Sequence, residues 1–183
     1  TSLDPRVQKQ IENAQTALQR GNFDYVIDVT AQVLKTAPGC LPVRKLQRTA
    51  QMKVHQAKSG KMFTKAFGSV TQAGFLFGSG SKDPNKALEN AEKLLANDPT
   101  NVAGLRLLAD AAKGLDMPNT VAWVWECVHE LQPNDRDALL SMGEAYYAVK
   151  NAKDALRAAD LILKMRPQDG EAMTLMRKAS ILQ

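Results

Sequence analysis

The segment Arg136–Asp169, RDALLSMGEAYYAVKNAKDALRAADLILKMRPQD, decides the fold. Leu139, Met142, Gly143 and Tyr146 recur at steps of three and four residues. Ala155, Ala159 and Ile162 then do the same, and Pro167 closes the run. That spacing puts each set on one face of an α-helix. Gly143 and Ala155 are small because the two helices cross closely there, and Tyr146 fills the space beside the crossing. Outward from this segment the same punctuation recurs in Asn97-Asp98-Pro99, Leu131-Gln132-Pro133 and Met165-Arg166-Pro167. The prolines stand 34 residues apart. A unit of that length is a helix–turn–helix that cannot bury its apolar face alone and must stack on neighbours.

The large apolar residue, Leu, Gly and Tyr of the first helix, the alanines of the second and the closing Pro resemble the tetratricopeptide repeat. The resemblance implies an all-α, right-handed α-solenoid of four helix-turn-helix pairs plus a C-terminal capping helix. The expected single domain spans 1–183, with repeat 1 at 7–40, repeat 2 at 41–101, repeat 3 at 102–135, repeat 4 at 136–169 and the capping helix at 170–183. Repeat 3 keeps the register with Leu105, Leu108, Ala109 and Ala112, then Val121, Trp125 and Val128. Its inner turn runs from Gly114 to Asn119, with Gly as the stop and Pro118 near the next start. Repeat 1 has Ala14 and Ala17, a turn at Arg20-Gly21-Asn22, then Tyr25, Val26, Val33 and Pro38. Gln10 and Asn13 at usually apolar places suit a terminal repeat with one polar face. Met173, Met176 and Ile181 are expected to let the closing helix cover the last face.

Repeat 2 is irregular. Its second helix, Asp83 to Asn97, carries Ala87, Ala91 and Leu94 in register, but about 27 additional residues precede it, by comparison with the 34-residue unit. This insertion, about 58–82, holds Phe63, Phe67, Phe75 and Phe77, four of the five phenylalanines of the chain. A helical stripe of this kind reads first as packed core, second as a partner-docking element and third as an interfacial membrane helix.

Charge is unevenly spread. The formal net charge is +5, yet no acidic residue lies between Asp28 and Asp83, a stretch carrying nine Lys and Arg residues. The rest of the chain is therefore net acidic, which suggests separate surfaces with separate electrostatic tasks. The basic, Phe-bearing segment 35–82 is the alternative binding surface, for an anionic membrane or nucleic acid. No base-reading motif accompanies it, and glycines interrupt its apolar stripe, so both ligands rank below protein.

In the resembling family the first helices line a concave groove. By register that groove contains Arg106, Asp110, Lys113, Asp137, Leu140, Glu144 and Tyr147, extended by Glu171, Thr174 and Lys178. Its acidic lean suits a partly basic peptide or helix. Some family members clamp the C-terminal carboxylate of heat-shock chaperones with Lys, Asn and Arg. Gln8, Glu12, Asp137 and Ser141 stand at the matching places here, so that clamp is absent. Trp125 falls at a buried position, whereas Trp123 lies off the buried face and is the candidate for self-association.

Nothing points to catalysis. His55 and His129 stand apart from any Ser, Cys or carboxylate at an activating spacing. Cys40 and Cys127 have no metal-ligand or CxxC spacing and read as small hydrophobes. The Gly78-Ser79-Gly80-Ser81 run lacks a phosphate-loop ending. No metal and no cofactor is expected. No apolar run reaches the roughly 20 residues that span a bilayer. The start at Thr-Ser-Leu-Asp, without Met, reads as a piece processed or excised from something longer. The expectation is an interaction scaffold for a protein or peptide, a role that the resemblance also connects with bacterial assembly factors.

Overall fold

A computed structural model describes residues 4–61 and 82–182 of the chain. Nine helices occur among the described residues. They are α1 (Pro5–Gln19), α2 (Phe23–Thr36), α3 (Leu41–Lys61), α4 (Pro84–Asn97), α5 (Val102–Gly114), α6 (Pro118–Leu131), α7 (Arg136–Ala148), α8 (Ala152–Met165) and α9 (Gly170–Ser180). No strand occurs among the described residues. None of the described helices is long and apolar enough to cross a membrane. Phe63, Phe67, Phe75 and Phe77 lie outside the described residues.

Local chemistry starts these helices where they start. Asn101, Asp135 and Asp169, each 34 residues from the next, accept the amides of Gly104, Ala138 and Ala172 at 3.0 Å. Asn22 and Asn151 cap α2 and α8 in the same way, and Asp4 caps α1. A cap of this kind contributes about 1 kcal/mol by satisfying an amide that the helix leaves open. α6 has no side-chain cap, and Pro118 takes its first turn instead, where its missing N–H costs nothing. The inner turns of the last two pairs pass through left-handed residues 34 apart, Asp116 at φ 54° and Lys150 at φ 63°.

The described residues form two compact units, 4–61 with 96–100, and 82–95 with 101–182. In the first, α2 packs on both α1 and α3. Val33, Leu34 and Val43, with Val7, Ile11 and Cys40 against them, make one core patch, and Ala17, Val26 and Ala50 make another. Tyr25, expected among the apolar set of α2, is instead exposed. It sits in the first turn, off the stripe formed by Val26, Thr30 and Val33. α3 runs to Lys61, past the expected start of the insertion. Two of the basic residues of this stretch bond to backbone carbonyls: Arg44, itself buried, donates to Pro38 and Arg48 donates to Pro99.

In the second unit α4 runs antiparallel to α5. A Cβ on Gly104 would sit 3.2 Å from Leu95, and one on Gly114 would sit 2.9 Å from Pro84. Gly114 thus admits the neighbouring helix, in addition to ending its own. The following helices pack in order, α5 on α6, α6 on α7, α7 on α8 and α8 on α9. Leu139, Met142, Ala155, Ala159 and Ile162 are fully buried, as their periodicity predicts. A Cβ on Gly143 would come within 3.0 Å of Ala158 and overlap Leu175 of α9, so the notch admits two helices. Trp125, expected to be buried, is half-buried, as is Trp123, and both pack on the same core. The interior stripe of α6 is Ala122, Val124, Cys127 and Val128, whose small side chains let neighbouring helices approach and leave the indoles at the margin. α9 also departs from expectation. It packs through Ala172, Leu175 and Ala179, while Met173 and Ile181 remain exposed. The Gly143 notch accepts one Leu flanked by alanines, so the larger residues lie on the other side.

Candidate functional site

Within the second unit, the first helices of successive pairs, α5, α7 and α9, are joined by ion pairs. Arg106 of α5 donates to Asp135, the cap of α7, at 2.8 Å. One pair further on, Arg136 of α7 donates to both oxygens of Asp169, the cap of α9, at 2.9 and 2.8 Å. Arg136 also reaches Asp137 at 3.0 Å and Glu171 at 2.6 Å. These three acceptors raise the guanidinium pKa, Asp169 most strongly. In return, the Arg136 hydrogen bonds and then the Ala172 amide hold the Asp169 carboxyl at about 2. Side-chain exposure is 6% for Asp169, 67% for Glu171 and 81% for Asp137. Asp169 is therefore structural, while the other two carboxylates face solvent.

Lys178 of α9 closes the ladder by donating to Glu144 of α7 at 2.6 Å, with its ammonium 4.7 Å from the centre of the Tyr147 ring. Between these contacts lies an open depression of about 510 Å³ lined by Arg136, Glu144, Asp169, Gly170, Glu171 and Thr174. Its lining carries three carboxylates against one guanidinium, so it is net negative.

The sequence-derived candidates therefore separate. Asp137, Glu144, Glu171 and Lys178 come together around the depression, with Tyr147 stacked under Lys178. Leu140 is half-buried against the core beneath. Arg106 is drawn aside, to Asp135 and to the ring of Trp125, whose centre lies 5.5 Å from its guanidinium. Asp110 and Lys113 are exposed on α5. Arg136 was not among the candidates, although it organises the site. An Arg in the first turn, with an acidic cap one repeat onward, was the available signal.

A second polar network lies among α6, α7 and α8. Glu126 accepts from the Tyr146 hydroxyl and from Arg157, both at 2.7 Å, and Arg157 also donates to Asp154 at 3.1 Å. Burial, followed by the adjacent Glu126 carboxylate, raises the Tyr146 pKa. Tyr146 is therefore a neutral donor, tying three helices together in addition to filling the crossing. Among the described residues no group of His, Cys, Asp and Glu is arranged to hold a metal ion.

No protein-family model matches the chain, and no curated protein sequence does. Solved structures do resemble it. A tetratricopeptide repeat protein from Parabacteroides merdae shares 15% identity over 96% of this chain, with a TM-score of 0.50. This chain spans 59% of that protein's length. YrrB, described as a TPR protein with an unusual peptide-binding site, shares 16% identity over 92% of this chain and 90% of its own, with a TM-score of 0.48. The first TPR of Spaghetti (RPAP3), bound to the HSP90 peptide SRMEEVD, shares 21% identity over 54% of this chain and 78% of its own, with a TM-score of 0.47. The chain has the fold of tetratricopeptide repeat proteins.

Proposed function

We propose that this chain is a binding scaffold and not an enzyme, and that the face made by α5, α7 and α9 holds a basic peptide or helix of a partner protein. The observation that carries the proposal is the net-negative depression between α7 and α9. A lysine or arginine entering it meets Glu144 and Glu171, with Asp137 at the rim. Exposed ion pairs are worth only about 0–1 kcal/mol, so lifting Lys178 from Glu144 to admit a guest costs little. Arg136, held by three carboxylates, stays in place and keeps the helices in register. Tyr147 and Leu140 supply an apolar floor, and Asp110, Lys113 and Arg106 extend the contact along α5. In this reading the repeats at 102–135 and 136–169, with the closing helix at 170–183, build the surface.

A screen of short peptides, differing in Lys and Arg content, tests the reading by fluorescence anisotropy. Basic peptides should bind, and the combined Asp110→Lys, Asp137→Lys and Glu144→Lys variant should lose at least about tenfold in affinity. Undiminished binding by that variant would remove the groove from consideration. The basic segment 35–82 is the weaker alternative, since Arg44 and Arg48 already bond to backbone carbonyls.

A further inference from the structure

Three carboxylates along the face of α5, α7 and α9 hold a cation from a neighbouring first helix, for different reasons. Asp135 and Asp169 are helix caps, bound to the amides of Ala138 and Ala172 as well as to Arg106 and Arg136. Glu144 lies inside α7 and caps nothing. Among the described contacts it accepts from the Lys178 ammonium at 2.6 Å, and that ammonium lies 4.7 Å from the centre of the Tyr147 ring. Glu144 and Tyr147 are three residues apart on one helix, so carboxylate and ring project to the same side. They form a seat with the two parts that bind an ammonium: an oxygen that accepts its N–H and a π-face that receives its charge.

The seat is open to solvent. Side-chain exposure is 33% for Lys178 and 45% for Glu144, and Glu144 lines the depression between α7 and α9. An ion pair with that much access to water is weak, and Lys178 has water to turn to when it leaves. The register of α7 and α9 does not depend on it, since the Arg136 fork to the buried Asp169 joins the same two helices. Thirty-four residues earlier the positions of Glu144, Tyr147 and Lys178 hold Asp110, Lys113 and Glu144, with no ring and the outer charge reversed. A guanidinium is served differently on this face. Arg136 spreads its planar fork over Asp169, Asp137 and Glu171, whereas Glu144 receives one nitrogen on one oxygen. One oxygen and one ring suit a compact ammonium.

We infer, resting on the groove reading above, that the partner binds by placing a lysine ammonium on Glu144 and over the Tyr147 ring, and that Lys178 is a built-in competitor for this seat. Lys178 swings out to water as the guest lysine enters. The groove therefore reads lysine in preference to arginine. Because Lys178 fills the seat in the resting chain, the apparent affinity for the guest is scaled down to the fraction of molecules whose seat is free.

The full chain is titrated with capped, labelled alanine-based peptides carrying lysine, arginine or norleucine at the same positions. Binding is followed by anisotropy and by the ring resonances of Tyr147. Lys178→Met keeps the stem of the side chain and empties the seat. This variant should bind the lysine peptide at least about fivefold more tightly than the unmodified chain does, and the arginine peptide less than about twofold more tightly. Arg177→Met removes the same charge from the adjacent, exposed position of α9. It should raise either affinity less than about twofold, which separates an emptied seat from a more negative groove. Adding Tyr147→Leu to Lys178→Met should cancel the gain, and the lysine peptide, unlike the norleucine peptide, should shift the Tyr147 ring resonances. Far-UV circular dichroism verifies that each variant is folded. Should Tyr147→Leu disturb the fold, Glu144→Gln takes its place and should abolish the preference for lysine over arginine. Equal gains for the two basic peptides, an equal gain from Arg177→Met, a still Tyr147 ring, or a gain that survives the second substitution would overturn the inference and leave the groove reading standing. Binding of no basic peptide, by the unmodified chain or by Lys178→Met, would overturn both.

Discussion

Asp169 serves two partners with one carboxylate. It caps α9 through the Ala172 amide and accepts both hydrogen bonds of the Arg136 fork. Its folded pKa, about 2, lies below the ordinary 3.8, so its stabilising contribution is complete above the unfolded value and disappears as pH falls through the folded one. Asp169→Asn keeps a capping oxygen but removes the charge. Thermal melts should show the variant less stable than the parent at about pH 6, with the gap closing between about pH 4 and pH 2. A gap that persists undiminished at the acid end would assign the loss to the amide geometry instead of the charge. The cap was legible in the sequence, since Asp stands just before a helical run. The ion pair was not, because its partner lies 33 residues away.

At the scale of the element, the turns and crossings carry the stored costs. Lys150 holds φ at 63° with no side-chain partner among the described contacts, a conformation that costs a non-glycine residue about 1–2 kcal/mol. Lys150→Gly removes that strain but adds freedom to the unfolded chain, for a net gain of about 0.5–1 kcal/mol. A urea titration should show a higher midpoint with an unchanged slope. Asp116, 34 residues earlier, should gain less from the same change, because Asp tolerates the left-handed region better. Gly143→Ala works in the opposite direction. Its helix-propensity gain is about 1 kcal/mol, but overpacking against Ala158 and Leu175 costs about 1–3 kcal/mol. A lowered urea midpoint is expected, and a raised one would mean that Leu175 can swing away at no cost.

At the scale of the whole molecule, stability in a stacked array depends on how many neighbours each element has. Among the described residues of the second unit, α7 packs on α6, α8 and α9, whereas α9 packs chiefly on α8 and, less extensively, on α7. Amide hydrogen exchange should therefore be slowest in α7 and α8 and clearly faster in α9. Uniform protection from α5 to α9 would mean that the unit opens only as a whole.

Read from sequence alone, the 34-residue interval, the helix pairs and the small residues at the crossings all follow from periodicity and local chemistry. Those are properties of a helix and its immediate ends, and near neighbours in the chain determine them. Which side of α9 packs, how Trp123 and Trp125 share the margin of the core, and which groove charges are already paired belong to the tertiary structure. Each depends on residues a full repeat away: the Gly143 notch selects Leu175 over Met173, and Arg136 reaches forward to Asp169. A single helix wheel contains neither the partner's shape nor its charge, and only stacking brings them into contact.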